Sequence, residues 1–352
     1  MGAGPTTNKM MKTIKVIAFL VVLGLIAAAG VGVTLYKRTS QPYRGYSAAE
    51  QFVEIAPGSS TRTIGEQLIA GGVVQNEATF RAALWRTGAA RALKAGTYRF
   101  DTPMAAVDVI RKIAKGDTWV RRLTFPEGLN MLEMSKIFEQ QNFGTASEFL
   151  AAAREPMPIV HADPAARDLE GYLFPETYSL PPKTPAARLV HLMVDRFEQL
   201  FTEEMRQAAE AHGMTMREAV TLASIVEKET AKAEERPIVA AVYRNRLNVR
   251  MPLQCDPTVI YALERAGRYN GNLTRADLEM DSPYNTYRYP GLPPGPIASP
   301  GLASLKAAVA PADVDFLYFV SRNDGSHVFA RTLEEHNANV HKFQVEYFRA
   351  RK

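Results

Sequence analysis

Cysteine and histidine are scarce in this chain of 352 residues, which has one cysteine, Cys255, and six histidines. A single cysteine excludes an intramolecular disulfide and a zinc site built from cysteines. The histidines form no HExxH motif and no pair at a spacing of four, so they predict no metal site. We therefore expect a protein that needs no metal or other cofactor and is stabilised by hydrophobic cores, which a chain of this length can build.

Acidic residues are missing from the first 44 positions, which contain six lysines and arginines. The rest of the chain has 36 basic and 37 acidic residues, so it is close to neutral. The formal net charge of +5 therefore belongs to the N-terminal segment and not to a surface that binds nucleic acid. Nucleic acid is not expected as a partner.

Charge is also missing from residues 16–36, a run of 21 mostly apolar residues. A helix of this length rises far enough to cross a hydrocarbon core of about 30 Å. A cleaved signal peptide is the alternative, since residues 27–30 (AAAG) resemble a cleavage region, but the apolar part of a signal is about 7–15 residues long. We predict a retained transmembrane helix. The lysines before it favour a cytoplasmic tail at 1–15, with the bulk of the chain outside.

A polar linker is predicted at residues 37–50, and a small unit follows at 51–118. Strand patterns at 52–55 and 96–100 enclose two helix patterns, at 63–70 and 77–86. This order of strand, helix, helix, strand resembles a LysM-type carbohydrate-binding module. A small α+β spacer without a binding function is the alternative.

Residues 119–352 are predicted to form a mainly helical catalytic domain. Asn323-Asp324-Gly325 is a strong turn signal and predicts a β-hairpin between strands at 317–320 and 328–330. The other elements predicted in this domain are a strand at 120–125 and helices at 130–141, 146–153, 187–212, 215–229, 234–249, 257–264, 302–310 and 332–349. A further helix is predicted at 104–113, in the preceding subdomain. The expected fold class is α+β, with a transmembrane helix, a small LysM-like subdomain and this helical domain.

Glu227 is the candidate catalytic acid. It lies near the end of a predicted helix that is apolar nearly all round, which indicates a buried helix. One turn earlier, Ala223 and Ser224 are small and leave space for a substrate. Burial disfavours the charged form of a carboxyl and raises its pKa, as a general acid of the glycosidase type requires. The alternative is that Glu227 caps the helix or pairs with an arginine such as Arg236.

The segment LASIVEKET at residues 222–230 closely resembles the catalytic segment of the YceG-like, or MltG, endolytic murein transglycosylases. Five further segments resemble that family in the same order: LEGYLFPETY (169–178), YRNRL (243–247), LQCDPTVIY (253–261), DSPYNTY (281–287) and GLPPGPI (291–297). With the anchor and the LysM-like unit, the resemblance covers nearly the whole chain. Cys255 replaces a more usual small polar residue.

The resemblance implies an enzyme that cuts the β-1,4 bond between N-acetylmuramic acid and N-acetylglucosamine in nascent peptidoglycan strands. No water is consumed, and the product carries a 1,6-anhydro end. Glu227, which matches the family's catalytic position, would protonate the leaving oxygen and then take the proton of the muramic acid 6-hydroxyl. The implied location is the inner membrane, with a periplasmic catalytic domain. Whether a peptidoglycan synthase is a partner stays open.

Five residues of the matching segments suit a sugar-binding cleft. Amides bind hydroxyl and N-acetyl groups, and tyrosines stack on sugar rings and donate hydrogen bonds. We therefore expect substrate binding by Asn245, Gln254, Tyr284, Asn285 and Tyr287. For each of them alone, a packing role is the alternative.

A second catalytic carboxylate also stays open, because retaining and inverting glycosidases use two. The candidates are Glu229, Glu234, Asp256 and Asp281. Glu229 lies about 200° around the helix from Glu227, so it is not expected to act from the same site. Two rival functions remain: a hydrolytic muramidase, and a catalytically silent scaffold that binds glycan.

Overall fold

The computed structural model describes residues 5–182 and 184–349, with side chains from residue 15 onward. Residues 1–4 of the predicted tail lie outside this part. The described chain divides into two compact units. The first runs to Arg121 and takes in Leu180–Pro182, and the second comprises the rest.

The first unit begins with a long helix, α1, which spans Pro5–Ser40 and contains the predicted apolar run. The segment Lys15–Ser40 is long and apolar enough to cross a membrane. The other elements of this unit are β1 (Pro42–Tyr43), β2 (Gln51–Ile55), α2 (Thr61–Ala70), α3 (Glu77–Thr87), β3 (Gly96–Phe100), β4 (Met104–Ala105) and α4 (Ala106–Lys115). The predicted order of strand, helix, helix, strand is present. The linker prediction missed β1, which pairs with β4.

Local chemistry sets the ends of these helices. The side chains of Ser60 and Asn76 accept main-chain hydrogen bonds at the starts of α2 and α3. Gly88 ends α3 in a left-handed conformation that glycine adopts without strain. Strands β2 and β3 pair antiparallel, and their inward side chains form a core with one face of each helix.

The second unit is mainly helical, as predicted. Its strands are β5 (Arg121–Thr124), which pairs with β6 (Thr177–Leu180), and the hairpin of β7 (Tyr318–Ser321) and β8 (His327–Ala330). Its helices are α5 (Met131–Gln140), α6 (Ala146–Ala153), α7 (Ala186–Leu200), α8 (Glu203–Ala211), α9 (Met216–Glu229), α10 (Arg236–Asn248), α11 (Asp256–Arg265), α12 (Leu302–Val309), α13 (Leu333–Val340) and α14 (Tyr347–Arg349). A π-helical segment, His341–Glu346, joins α13 to α14.

The prediction of one long helix at residues 187–212 was wrong. The chain leaves the helical conformation at Phe201 and Thr202, so that α7 and α8 are separate. Phe201 is fully buried, and its ring stacks on Phe197 at 5.6 Å between centroids. Thr202 is extended and begins α8, whose first turn carries two glutamates that favour a helix N-terminus.

Helix α9 is the most deeply buried element that bears on the site. All eight residues from Ala219 to Val226 are buried, and the helix packs against α10, α11 and α12. A capping box of Thr215 and Glu218 begins it. Gly171 approaches it closely, because a Cβ at this position would meet the ring of Pro296 and the side chain of Val220.

We expect Gly171→Ala to destabilise the second unit more than Gly213→Ala does. Both glycines have positive φ, +82° and +71°, but a Cβ on Gly213 would meet nothing within 4 Å. Gly213→Ala should therefore cost about 1 kcal/mol of backbone strain, and Gly171→Ala about 3 kcal/mol because overpacking is added. Denaturant unfolding of the full chain in detergent measures both. Equal losses would contradict a tight contact at Gly171.

Candidate active site

Glu227 lies near the end of α9 and is held at both carboxylate oxygens. Its Oε1 accepts a hydrogen bond from Arg236 Nη2 at 2.9 Å, and its Oε2 accepts the N–H of Gly301 at 2.9 Å. Gly301 begins α12, where helix N–H groups and the helix dipole attract negative charge. The Glu227 side chain is only 6% exposed. The ion pair with Arg236 is the alternative that the sequence left open.

Glu127 is a second carboxylate in this cluster, and it was not among the residues predicted from the sequence. Its Oε2 lies 3.8 Å from Arg236 Nη2. Burial and the neighbouring charge of Glu227 raise the pKa of Glu127, while Arg236 opposes the shift. A Cβ on Gly301 would overlap the Glu127 carboxylate, so a side chain at this position would displace Glu127 from its present place. The available signal was Pro126-Glu127-Gly128, a turn directly after a predicted strand.

Glu229 faces different surroundings, although it ends the same helix. It lines a cavity of about 280 Å³ together with Tyr243, Arg246, Leu253, Gln254, Asp256, Tyr287, Phe319 and His336. Its Oε1 accepts hydrogen bonds from the Tyr243 hydroxyl at 2.8 Å and from the Cys255 thiol at 3.1 Å. Within the described part of the chain, no hydrogen bond to Oε2 is seen.

Burial raises the pKa of Glu229, and the charge of Asp256 adds to the rise. The hydrogen bonds from Cys255 and Tyr243 act in the opposite direction without cancelling it, as does the charge of His327. A carboxyl with a raised pKa keeps its proton toward neutral pH, which is the property required of a general acid. The direction of this shift suits Glu229 to act as a general acid.

Two of the predicted substrate-binding residues, Gln254 and Tyr287, line the Glu229 cavity. Gln254 has a φ of +49°, a strained conformation for a residue with a side chain and one that is frequent at functional sites. The Tyr287 hydroxyl donates to Asp256 Oδ1 at 2.6 Å. The structure thus brings Gln254, Asp256 and Tyr287 together with Glu229.

The other three predicted substrate-binding residues lie elsewhere. Tyr284 lines a larger cavity, of about 660 Å³, with Glu170, Arg217 and Arg265 among its neighbours. The buried Asn285 gives its amide hydrogens to the carbonyls of Leu278 and Met280, and Asn245 gives its own to those of Val314 and Phe316. These two amides hold loops together, and substrate binding by all five residues stays a prediction.

The remaining candidate carboxylates are less suited to catalysis by position. Glu234 is exposed. Asp281 is also exposed and accepts a hydrogen bond from the Tyr289 hydroxyl at 2.6 Å. Among the four candidates for a second carboxylate, Glu229 and Asp256 line a common cavity.

The comparisons with known proteins all match this chain to one group of related proteins. Residues 53–342 match the model of the YceG-like family. The chain is 31% identical to an endolytic murein transglycosylase of Bacillus subtilis over 329 residues, which cover 89% of this chain and 90% of that protein. It is 32% identical to an endolytic murein transglycosylase of Streptococcus pneumoniae, over 92% of this chain and 64% of that protein.

A solved structure agrees with these matches. The crystal structure of a yceG-like protein from Listeria monocytogenes is 32% identical in sequence and superposes with a TM-score of 0.56, covering 83% of this chain and 99% of that one. The family match extends over most of the chain and includes both carboxylate environments. The chain belongs to the YceG-like family.

Proposed function

We propose that this protein is an endolytic murein transglycosylase in which Glu229, rather than Glu227, transfers the proton. The family and its curated relatives support the reaction. The observation that carries the assignment to Glu229 is its place in a polar cavity, with a raised pKa and with both of its described hydrogen bonds on one carboxylate oxygen, Oε1.

The reaction needs one proton donor that later accepts a proton. Glu229 gives its proton to the glycosidic oxygen as the bond to the muramic acid C1 breaks, and N-acetylglucosamine leaves with a free hydroxyl. The carboxylate then removes the proton of the muramic acid 6-hydroxyl, whose oxygen bonds to C1. The carboxyl ends as it began, and the products are an anhydro end and a new chain end.

The neighbours of Glu229 suit these steps. The Tyr243 and Cys255 donors both engage Oε1, so Oε2 is the oxygen that carries the proton. These two donors also stabilise the carboxylate left after the first transfer. Gln254, Asp256 and Tyr287 line the same cavity and can hydrogen-bond sugar hydroxyl and N-acetyl groups.

Glu227 has a positioning role in this proposal. Both its oxygens accept hydrogen bonds, one from Arg236 and one from the N–H of Gly301, so in this arrangement both are engaged within the protein. With Arg236 it ties the end of α9 to the starts of α10 and α12. That tie holds the last turn of α9, and therefore Glu229, in place.

Hydrolysis by an activated water is the second candidate function, and Asp256 is the observation that favours it. Asp256 lies in the Glu229 cavity and would supply the second carboxylate that a hydrolase requires. Mass spectrometry of digested glycan strands separates the two reactions, because an anhydro end is one water lighter than a reducing end. Reducing ends alone would overturn the transglycosylase proposal.

The proposed location of this activity rests on helix α1. We propose that α1 crosses the inner membrane once, with its N-terminus cytoplasmic and the chain after α1 periplasmic. The apolar segment Lys15–Ser40 supports a membrane anchor, and the lysines before it support the orientation. Such an anchor keeps the enzyme beside nascent strands, where peptidoglycan synthases are the partner class that the proposal favours.

Replacing Glu227 and Glu229, one at a time, with glutamine tests which of them transfers the proton. We expect Glu229→Gln to lower kcat at least about 100-fold, the scale of a lost general acid, while the fold is retained. Glu227→Gln should lower the stability by about 1–3 kcal/mol, because Arg236 loses its charged partner, and leave kcat within about tenfold. Muropeptide analysis and thermal unfolding measure the two effects.

Glu234→Gln is the matched control, since Glu234 is exposed, and it should change neither quantity. A larger loss of kcat in a stably folded Glu227→Gln variant than in Glu229→Gln would return the catalytic role to Glu227.

The pH profile gives a second test. The alkaline limb of kcat/KM should report deprotonation of Glu229 in the free enzyme. Asp256→Asn removes a negative charge that raises this pKa, so the limb should move to lower pH. Cys255→Ala removes a hydrogen bond that lowers the pKa, so the limb should move to higher pH. Shifts in the same direction, or none, would contradict control of the reaction by Glu229.

A further inference from the structure

The last turn of α3 is fixed to the C-terminal end of α1. Arg86 Nη1 donates to the carbonyl of Tyr36 at 3.3 Å, to Ser40 Oγ at 2.8 Å and to Thr39 Oγ1. The guanidinium of Arg86 also lies 4.0 Å from the centre of the Tyr36 ring. Thr39 is fully buried by this contact. The end of α3 is therefore held at a defined position along the axis of α1, beside residues 36–40.

That position corresponds to the surface of the bilayer. Tyr36 is the last residue of the apolar run, and Lys37 and Arg38 follow it. Residues 36–40 rise about 6 Å along the helix axis, which is about the thickness of one headgroup layer. When α1 crosses a membrane, as proposed above, the last turn of α3 lies at this layer.

Trp85 precedes Arg86 in that turn and is 85% exposed, the highest value among the large hydrophobic side chains of the described residues. Trp119, the other tryptophan, contacts the ring of Phe52 at 4.6 Å. Tryptophan is enriched at membrane interfaces, where its ring meets apolar chains and its N–H meets headgroups.

The two segments of sequence that meet at this contact carry charge of one sign. Residues 36–49 contain Lys37, Arg38 and Arg44 and no acidic residue. Residues 82–95 contain three further basic residues and no acidic one. A basic surface at headgroup height attracts anionic lipid phosphates, by about 1 kcal/mol for each basic residue near the surface.

We propose that the last turn of α3 is a lipid-binding surface, with Trp85 inserted in the headgroup layer of the membrane that α1 crosses. This inference rests on the proposed membrane anchor. In this proposal the ring of Trp85 contacts lipid. If the first unit bound carbohydrate instead, the same ring would contact a sugar.

Tryptophan fluorescence of the full chain in lipid nanodiscs tests this proposal. Trp119→Phe leaves Trp85 as the single tryptophan. The discs contain phosphatidylglycerol and phosphatidylethanolamine, with a quencher either in the headgroup region or near the end of the acyl chains. We expect blue-shifted emission, strong loss of intensity with the headgroup quencher and little loss with the deep quencher.

Arg86→Ala is the second variant, because it removes the contacts with α1 and should reduce the quenching while the protein stays in the disc. Emission typical of water, unaffected by either quencher, would overturn the proposal. So would emission that responds to soluble glycan strands and not to lipid. Failure of the protein to enter the discs would instead overturn the membrane anchor, which separates the two claims.

Discussion

Burial of α9 is the constraint on which the second unit depends. Eight consecutive buried residues require cover on every side, and α10, α11 and α12 supply it. The glutamates that follow this buried run need hydrogen-bond or ion-pair partners at the end of α9. Glu227 finds a guanidinium and a helix N-terminus, and Glu229 finds a tyrosine hydroxyl and a thiol. The proposed active site is the place where the buried part of α9 ends.

The two glutamates show how surroundings set the chemistry of one residue type. Glu227 meets fixed positive charge, which suits an ionised group that holds helices together. Glu229 meets neutral donors and a nearby carboxylate, and its burial raises its pKa. Two carboxylates with different roles, separated by their environments, are the arrangement that acid–base enzymes use at neutral pH.

Much of the fold was predictable because it depends on short-range patterns. The hairpin followed from Asn323-Asp324-Gly325, and the helix at 215–229 followed from its apolar residues. The break at Phe201 was not, because a buried ring in the core outweighs a continuous helical pattern. Helical geometry also predicted that Glu227 and Glu229 lie on different sides of α9, but it did not reveal which of the two α12 covers. The start of α12 contacts Glu227 through the N–H of Gly301, which lies 74 residues away in the sequence.

Cys255 bears on the chemical stability of the protein in the proposed periplasmic location. Its thiol is buried, and burial together with Glu229 raises its pKa well above the ordinary value. Thiolates, not thiols, attack disulfides and oxidants. A lone cysteine in an oxidising compartment is otherwise liable to form disulfides with other chains. The contact with Glu229 and the burial of the thiol thus both favour its less reactive, protonated form.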